Sequence, residues 1–237
     1  MRLLVLLLAL SAGGCIGETY RAPAPNPFPG VKRVAVAPFL NRSADLKLDG
    51  KAVADAFASE LLMHPGFQVF RPAEVAAAAE GLGIEPETAD DYLEIARKLG
   101  ADAIVVAAVT ETRSYYPPRT TVALQLLVTQ RVDVPDTALE EHIRSARPLP
   151  LTLANAPNLS QQFETVCDGG DDNIRSEVKS YAAARVDSES PWQDGEGVLR
   201  AREPWLRFVC ALLVERVIDT EAARRRKSEP KRWHDAE

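Results

Sequence analysis

Cysteine and histidine side chains are the groups in this 237-residue chain best suited to nucleophilic or metal chemistry, and it has three of each. His64, His142 and His234 are far apart, and no pair has the short spacing of metal ligands on one element. A cysteine nucleophile needs a nearby base, and no histidine is close in sequence to Cys167 or Cys210. We therefore expect no catalytic residue, no metal site and no cofactor. The alternative is a hydrolase whose Ser-His-Asp site assembles from distant positions.

The acidic segment 167–173, CDGGDDN, could be considered a calcium loop. Its spacing lacks the alternating acidic ligands and the closing glutamate of an EF-hand. Capping of the following helix by Asp171 or Asp172 explains the carboxylates instead.

Cys167 and Cys210 leave two alternatives. A disulfide between them would close a loop of about 43 residues and contribute about 3–4 kcal/mol in the chain-entropy model. Otherwise Cys210 is a buried free thiol in an apolar helix, and Cys167 lies unpaired in a loop.

The first 14 residues have the pattern of an export signal: Arg2, then the apolar run Leu3–Leu10, then small residues. The run is far shorter than the ~20 residues that span a bilayer. Cys15 directly after the small residues resembles the bacterial lipobox, although Ala12 stands where leucine is usual. That resemblance implies cleavage before Cys15 and lipidation of its thiol, with fatty-acyl chains such as palmitate. The alternative is an ordinary secretory signal with an incidental cysteine.

Residues 15–30 carry prolines in alternation, which is typical of a stiff, extended tether. At about 3 Å per residue, the tether would reach on the order of 40 Å. These prolines are Pro23, Pro25, Pro27 and Pro29.

Residues 31–70 predict a strand, a loop, an amphipathic helix and a second strand. Val34 and Val36 alternate with small alanines, which indicates a strand covered on both faces. Asp49 is the expected helix N-cap. The helix face consists of Val53, Ala54, Phe57, Ala58, Leu61 and Leu62.

Further elements follow in 72–130. Two helices are expected, one starting at Pro72 and one ending at Gly100. The apolar run 103–109 is typical of a central strand, and residues 121–130 alternate as a returning strand.

In 131–227 we expect a C-terminal extension with two helices, the last of which starts at Pro204 and is buried because it is apolar over most of its circumference. The fold class is therefore α/β (α+β): a mixed sheet of four to five strands with helices packed on it. Residues 228–237 are an expected disordered tail.

The segments VAVAPF, ADAFASELL, FQVF and ARKLGADAIVVAAVTE together resemble a family of periplasmic domains. The family contains the penicillin-binding-protein activator lipoproteins, the curli-secretion lipoprotein and the N-terminal domain of TolB. The resemblance covers residues 31–130, and its most specific part is Leu99–Val106. It implies an anchored or soluble periplasmic protein that binds envelope machinery and is not an enzyme. The chain departs from the family pattern after Gln130.

Tyr115, Tyr116 and Arg119 lie on a proline-stiffened turn between two strands. Exposed aromatic and arginine side chains on a rigid turn suit a protein contact. The alternative is that both tyrosines fold back over the sheet edge.

Together these patterns predict a membrane-anchored periplasmic binding module for an unidentified envelope protein. The net charge of −6 argues against nucleic-acid binding. Ile16 follows Cys15 where a retention aspartate would stand, which by resemblance favours the outer membrane. The basic run Arg224–Arg226 could contact anionic lipid or polymer, or be a solvated helix end. Alternatives for the whole chain are a self-assembling secretion-complex subunit and an envelope hydrolase.

Overall fold

The computed structural model describes residues 22–129, 159–185 and 195–228. The strands are β1 (Arg33–Val36), β2 (Leu40–Asn41), β3 (Gln68–Phe70), β4 (Ala103–Arg113), β5 (Arg119–Val128) and β6 (Leu159–Asp168). The helices are α1 (Gly50–Leu62), α2 (Pro72–Leu82), α3 (Ala89–Leu99), α4 (Asp172–Arg185), α5 (Glu196–Arg200) and α6 (Arg202–Ser228).

The strands form one mixed sheet in the order β3-β1-β4-β5-β6, with the two-residue β2 pairing beside β4. β1 is parallel to β3 and β4, whereas β5 is antiparallel to both β4 and β6. The predicted mixed α/β sheet is confirmed, and its count rises to six strands because β2 and β6 join it.

Helices cover both faces of the sheet, as the alternation in β1 predicts. Val34 and Val36 lie in the core formed with α1 and α6, whereas Ala35 and Ala37 lie in the core formed with α2 and α3. The central strand β4 is buried from Ala103 to Val109, which matches its continuous apolar sequence.

The start of α1 depends on two local features. The Asp49 carboxylate accepts hydrogen bonds from the backbone N–H groups of Lys51 at 2.9 Å and Ala52 at 3.2 Å, which confirms the predicted N-cap. A Cβ atom at Gly50 would lie 2.0 Å from the carbonyl oxygen of Phe39, so only glycine fits there.

β6 is the main departure from the predicted elements. Cys167 lies on this strand and not in a loop, and β6 pairs with β5 along nearly its whole length. The strand carries polar side chains on its buried face, so its sequence lacks an apolar alternation. Gln161 is buried on this face, and its Nε2 donates to the carbonyl oxygen of Val217 on α6 at 3.0 Å, whereas its Oε1 has no hydrogen-bond partner among the described residues.

α6 confirms the predicted buried C-terminal helix. It begins at Arg202, two residues before the predicted Pro204, and packs against α1. The Trp205 indole N–H donates to the hydroxyl oxygen of Thr120 on β5 at 2.9 Å, which fixes the helix across the sheet. None of the helices in the described segments is both long and apolar enough to span a bilayer.

Candidate functional site

The molecule has two ends, which we name by what each carries. The tether pole is where the chain enters the fold: the backbone N–H of Asn26 donates to the carbonyl of Pro65 at 2.9 Å, and Phe28 packs on Phe67 with ring centroids 6.3 Å apart. β1 and β4 start at this pole. The distal pole is the turn 114–118, where β4 ends and β5 begins. The 11 residues of β4 separate the two poles by about 35 Å.

Two tyrosines project from the distal pole. Tyr115 is 70% exposed, with the Arg113 guanidinium carbon 5.2 Å from its ring centroid. Tyr116 is 44% exposed, and the Arg200 guanidinium carbon lies 4.9 Å from its ring. Cation–π contacts of this kind limit ring motion while leaving most of the Tyr115 surface open.

Tyr116 contacts arginine side chains of α4 and α5. Its hydroxyl oxygen accepts from Arg175 Nη1 at 2.9 Å, and the Nη2 of the same arginine is 2.6 Å from Glu196 Oε1. The hydrogen bond with Tyr116 raises the pKa of Arg175 above its ordinary value. Tyr116 therefore lies against α4 and α5, whereas Tyr115 projects outward, so the two tyrosines differ in a way that neither alternative predicted.

Arg119 lies apart from the tyrosines, in an ion-pair network that crosses β4, β5 and β6. Its Nε is 3.4 Å from Glu111 Oε2, and its Nη1 is 3.4 Å from Asp168 Oδ2. The turn is fixed beside it by a hydrogen bond from the Gly169 N–H to the carbonyl of Pro118 at 2.8 Å.

Arg113, Arg175 and Arg200 were not predicted from sequence. Arg175 and Arg200 come from α4 and α5, far along the chain, so no local signal points to them. Arg113 differs from the others because no described carboxylate pairs with it. Its buried Nε lacks an acceptor, and its Nη2 makes only a 3.4 Å contact to the carbonyl of Pro117.

Cys167 and Cys210, for which the sequence left a disulfide and free thiols as alternatives, are free and buried in this structure. Cys210 Sγ contacts the carbonyl oxygen of Val53 at 3.4 Å. Burial, with a smaller effect of Glu177, raises the pKa of Cys167 to about 12. Burial likewise raises the pKa of Cys210. Both thiols are thus protonated and poorly reactive at neutral pH.

The acidic segment 167–173 serves local structure. Asp171 Oδ1 accepts from the N–H groups of Asn173 at 2.8 Å and Ile174 at 3.3 Å, so it caps α4. Within the described residues, no three His, Cys, Asp or Glu side chains are grouped to hold a metal ion.

His64 is buried at the tether pole, with Nδ1 2.9 Å from the carbonyl of Ala24. Three residues singled out from the sequence, Cys15, His142 and His234, lie outside the described residues.

Comparisons with known proteins found similar solved structures, but no matching family model and no matching curated sequence.

The chain is similar to the LpoB C-terminal domain from Salmonella enterica, with 14% identity and a TM-score of 0.39, over 58% of this chain and 84% of that one. It is also similar to lipoprotein GNA1162 from Neisseria meningitidis, with 15% identity and a TM-score of 0.39, over 81% of this chain and 99% of that one. A PelC dodecamer from Paraburkholderia phytofirmans matches with 23% identity and a TM-score of 0.32, over 47% of this chain and 70% of that one.

Of the three resemblances noted in the sequence, the one to the penicillin-binding-protein activator lipoproteins also has similar solved structures, those of LpoB. The curli-secretion and TolB resemblances stay predictions. All three TM-scores lie below 0.5. The function proposed below therefore depends on the residues of this chain.

Proposed function

We propose that this protein is a lipid-anchored binding module of the cell envelope, which holds a protein partner at its distal pole. The observation that supports this function best is the pair of exposed tyrosines fixed by guanidinium groups on a rigid turn. Aromatic and arginine side chains that are already immobilised lose little conformational entropy when a partner covers them.

The anchor in this proposal is Cys15, and the lipobox-like sequence around it supports the assignment. Ala24, which contacts His64, follows Cys15 by nine positions. Even a fully extended chain of that length spans at most about 30 Å, so the tether pole stays close to the membrane. The distal pole then faces away from it. The residue after Cys15 is Ile16, which supports the outer membrane.

Arg113 specifies the charge of the partner. Its guanidinium lies against Tyr115 and has no described carboxylate partner. A carboxylate on the partner would fit beside it, with apolar contact to the Tyr115 ring. Such a pair gains strength when docking removes water from it.

In-cell photocrosslinking from position 115 tests this surface. We expect a photoreactive residue there to capture one envelope protein, and the Arg113→Glu change to reduce that capture tenfold or more. Met63 is the matched control position, because it is 46% exposed and lies after α1, at the tether pole. The same protein captured equally from position 63, or capture unaffected by Arg113→Glu, would contradict the proposal. A Cys15→Ser variant that stays in the membrane fraction would contradict the anchor separately.

Self-assembly is a second candidate function, and the free edge of β6 favours it. Opposite residues on β5 and β6 alternate between hydrogen-bonded and non-hydrogen-bonded pairs, and the Gly169–Pro118 hydrogen bond shows which pairs are bonded. Gln162, Glu164 and Val166 belong to non-bonded pairs, so their backbone N–H and C=O groups point away from β5. Among the described residues, the one bond to this edge is from Arg216 Nη1 to the Glu164 carbonyl, at 3.3 Å. An open edge can pair with a second copy. A concentration-independent monomer in size measurements would exclude this function, whereas a defined oligomer dissociated by Val166→Pro would support it.

A further inference from the structure

The tether pole carries a group of exposed basic side chains from three separate elements. Lys32 precedes β1, Arg97 and Lys98 end α3, and Arg226 and Lys227 end α6. These five side chains are exposed, and none forms an ion pair with a described residue. We call them the basic pole group.

Three contacts place these elements at one end of the molecule. The Asp102 carboxylate, just after α3, accepts from the backbone N–H of Lys32 at 3.0 Å. Gln161, at the start of β6, binds the carbonyl of Val217, so α6 runs toward the tether pole. Val217 lines one apolar void together with Phe28, the residue at which the chain enters the core.

Three carboxylates of this pole are paired with arginines outside the basic pole group. Asp102 is 2.9 Å from the Arg33 guanidinium, and Glu60 is 2.6 Å from Arg185. Glu221, 1% exposed, is paired with two arginines of α6, Arg224 at 2.9 Å and Arg225 at 3.7 Å. On the last three turns of α6, Asp219 is the exposed carboxylate.

We propose that the tether pole is a docking surface for anionic phospholipid headgroups, with the basic pole group as its contact residues. This inference rests on the proposed membrane anchoring, which brings this pole to the bilayer. Surface charges are screened beyond about 8 Å at physiological salt, so the basic side chains act through contact. The contact would orient the domain with its distal pole outward.

The basic charges also lie at helix C-termini, where they interact favourably with the helix dipole. A dipole role requires no lipid and predicts no difference between neutral and anionic vesicles. Lipid docking predicts such a difference, amounting to roughly fivefold in binding for each Lys or Arg near the surface.

The test uses the acylated full-length protein on vesicles of phosphatidylcholine alone or with phosphatidylglycerol added. A fluorophore is attached to a cysteine introduced by Ala223→Cys, near the end of α6, and quenched by spin-labelled headgroups. The native Cys167 and Cys210 are buried and do not compete for the label. Leu46→Cys, at a position 93% exposed, provides a second label outside the tether pole.

We expect at least twofold stronger quenching at position 223 on anionic vesicles than on neutral ones, reversed by high salt, with no change at position 46. The double variant R226E and K227E should abolish the increase. The control double variant K47E and K179E makes the same change in net charge at two exposed lysines, one in the loop before α1 and one on α4. This control should retain the increase in quenching.

Equal quenching on both vesicle types, or an increase that survives in R226E and K227E with the fold intact by circular dichroism, would overturn the proposal. Flotation with neutral vesicles reports the acyl anchor separately. If the protein floats with anionic vesicles alone and R226E and K227E abolish flotation, the anchor fails but the lipid surface stands. Flotation with neither vesicle type overturns both.

Discussion

Asp102 links two strands at the tether pole through hydrogen bonds of its carboxylate. Its carboxylate accepts from the backbone N–H groups of Lys32 at 3.0 Å and Arg33 at 2.8 Å, and from the Arg33 guanidinium at 2.9 Å. Partial burial raises the pKa of Asp102, but the hydrogen bonds from Arg33 and Lys32 outweigh burial and hold it below its ordinary value. One side chain thus joins the start of β1 to the start of β4.

Replacing Asp102 by asparagine should lower the free energy of unfolding at pH 7 by about 1–2 kcal/mol, because a charged acceptor is lost. The stability from a depressed carboxylate pKa is fully present above the unfolded value of about 3.9, and is lost as the pH falls through the folded pKa. The difference between wild type and Asp102→Asn should therefore shrink below about pH 4. Urea unfolding from pH 7 to pH 3 measures it.

Asp55→Asn is the matched control for that series. Asp55 forms an exposed i,i+4 pair with Lys51 at 3.2 Å, which contributes about 0.5 kcal/mol or less. A constant difference between Asp102→Asn and wild type across the pH range would refute the linkage to the carboxylate.

At the scale of elements, β6 and α6 complete the core. β6 presents Gln161 and Thr165 toward α6, where Thr165 accepts a hydrogen bond from Arg216 at 2.9 Å. α6 supplies one hydrogen-bond partner to each of these buried polar residues, which offsets part of the cost of burying them. α6 in turn buries a wide apolar surface on α1, so it joins β6 to the rest of the core.

Leu213 and Leu212 test how α6 packs, because they are adjacent and chemically identical. Leu213 is fully buried in the core, whereas Leu212 is only partly buried at its margin. Leu213→Ala should destabilise the protein by about 3 kcal/mol through lost burial and a residual cavity, and Leu212→Ala by about half of that or less. Chemical denaturation of both variants gives the comparison. Equal losses would mean that α6 is rotated from this position.

At the scale of the whole molecule, the two thiols report the integrity of the core. Cys167 and Cys210 come from β6 and α6, and both are fully buried. Without reductant, we expect two titratable thiols per chain in denaturant when Cys15 is acylated or replaced. The native protein should react at least a hundredfold more slowly, since burial raises the pKa of both thiols.

A thiol titration with dithionitrobenzoate decides between the two cysteine alternatives. Fewer than two thiols in denaturant, restored by reduction, would show that the disulfide forms in the exported protein. Rapid reaction of the native protein would instead show that β6 and α6 separate readily.

The two poles are also a property of the whole molecule. β1, β3 and β4 all start at the end where the chain enters, so the helices that follow or precede them end there too. The basic ends of α3 and α6 therefore share the tether pole, while the β4–β5 turn lies opposite. This arrangement puts the basic pole group and the exposed Tyr115 at opposite ends of one domain.

The sequence by itself determined the elements whose local signals agree with their packing. Asp49 and Gly100 mark helix ends through backbone hydrogen bonds to near neighbours, and the α1 stripe and the β4 run carry the period of their element. The turn at Tyr115 was also evident, because Pro117 and Pro118 follow the two tyrosines. Such features depend on residues a few positions apart.

Only the tertiary structure decided what depends on distant residues. β6 is a strand because it pairs with β5 and because α6 supplies partners for Gln161 Nε2 and Thr165 Oγ1. Tyr116 is fixed because Arg175 and Arg200 reach it from α4 and α5. Lys32, Arg97 and Arg226 lie at the same pole because of the directions in which the strands run. Those directions cannot be read from a local sequence pattern. Long-range pairing and charge placement arise once the chain has folded, since they join groups that the sequence keeps far apart.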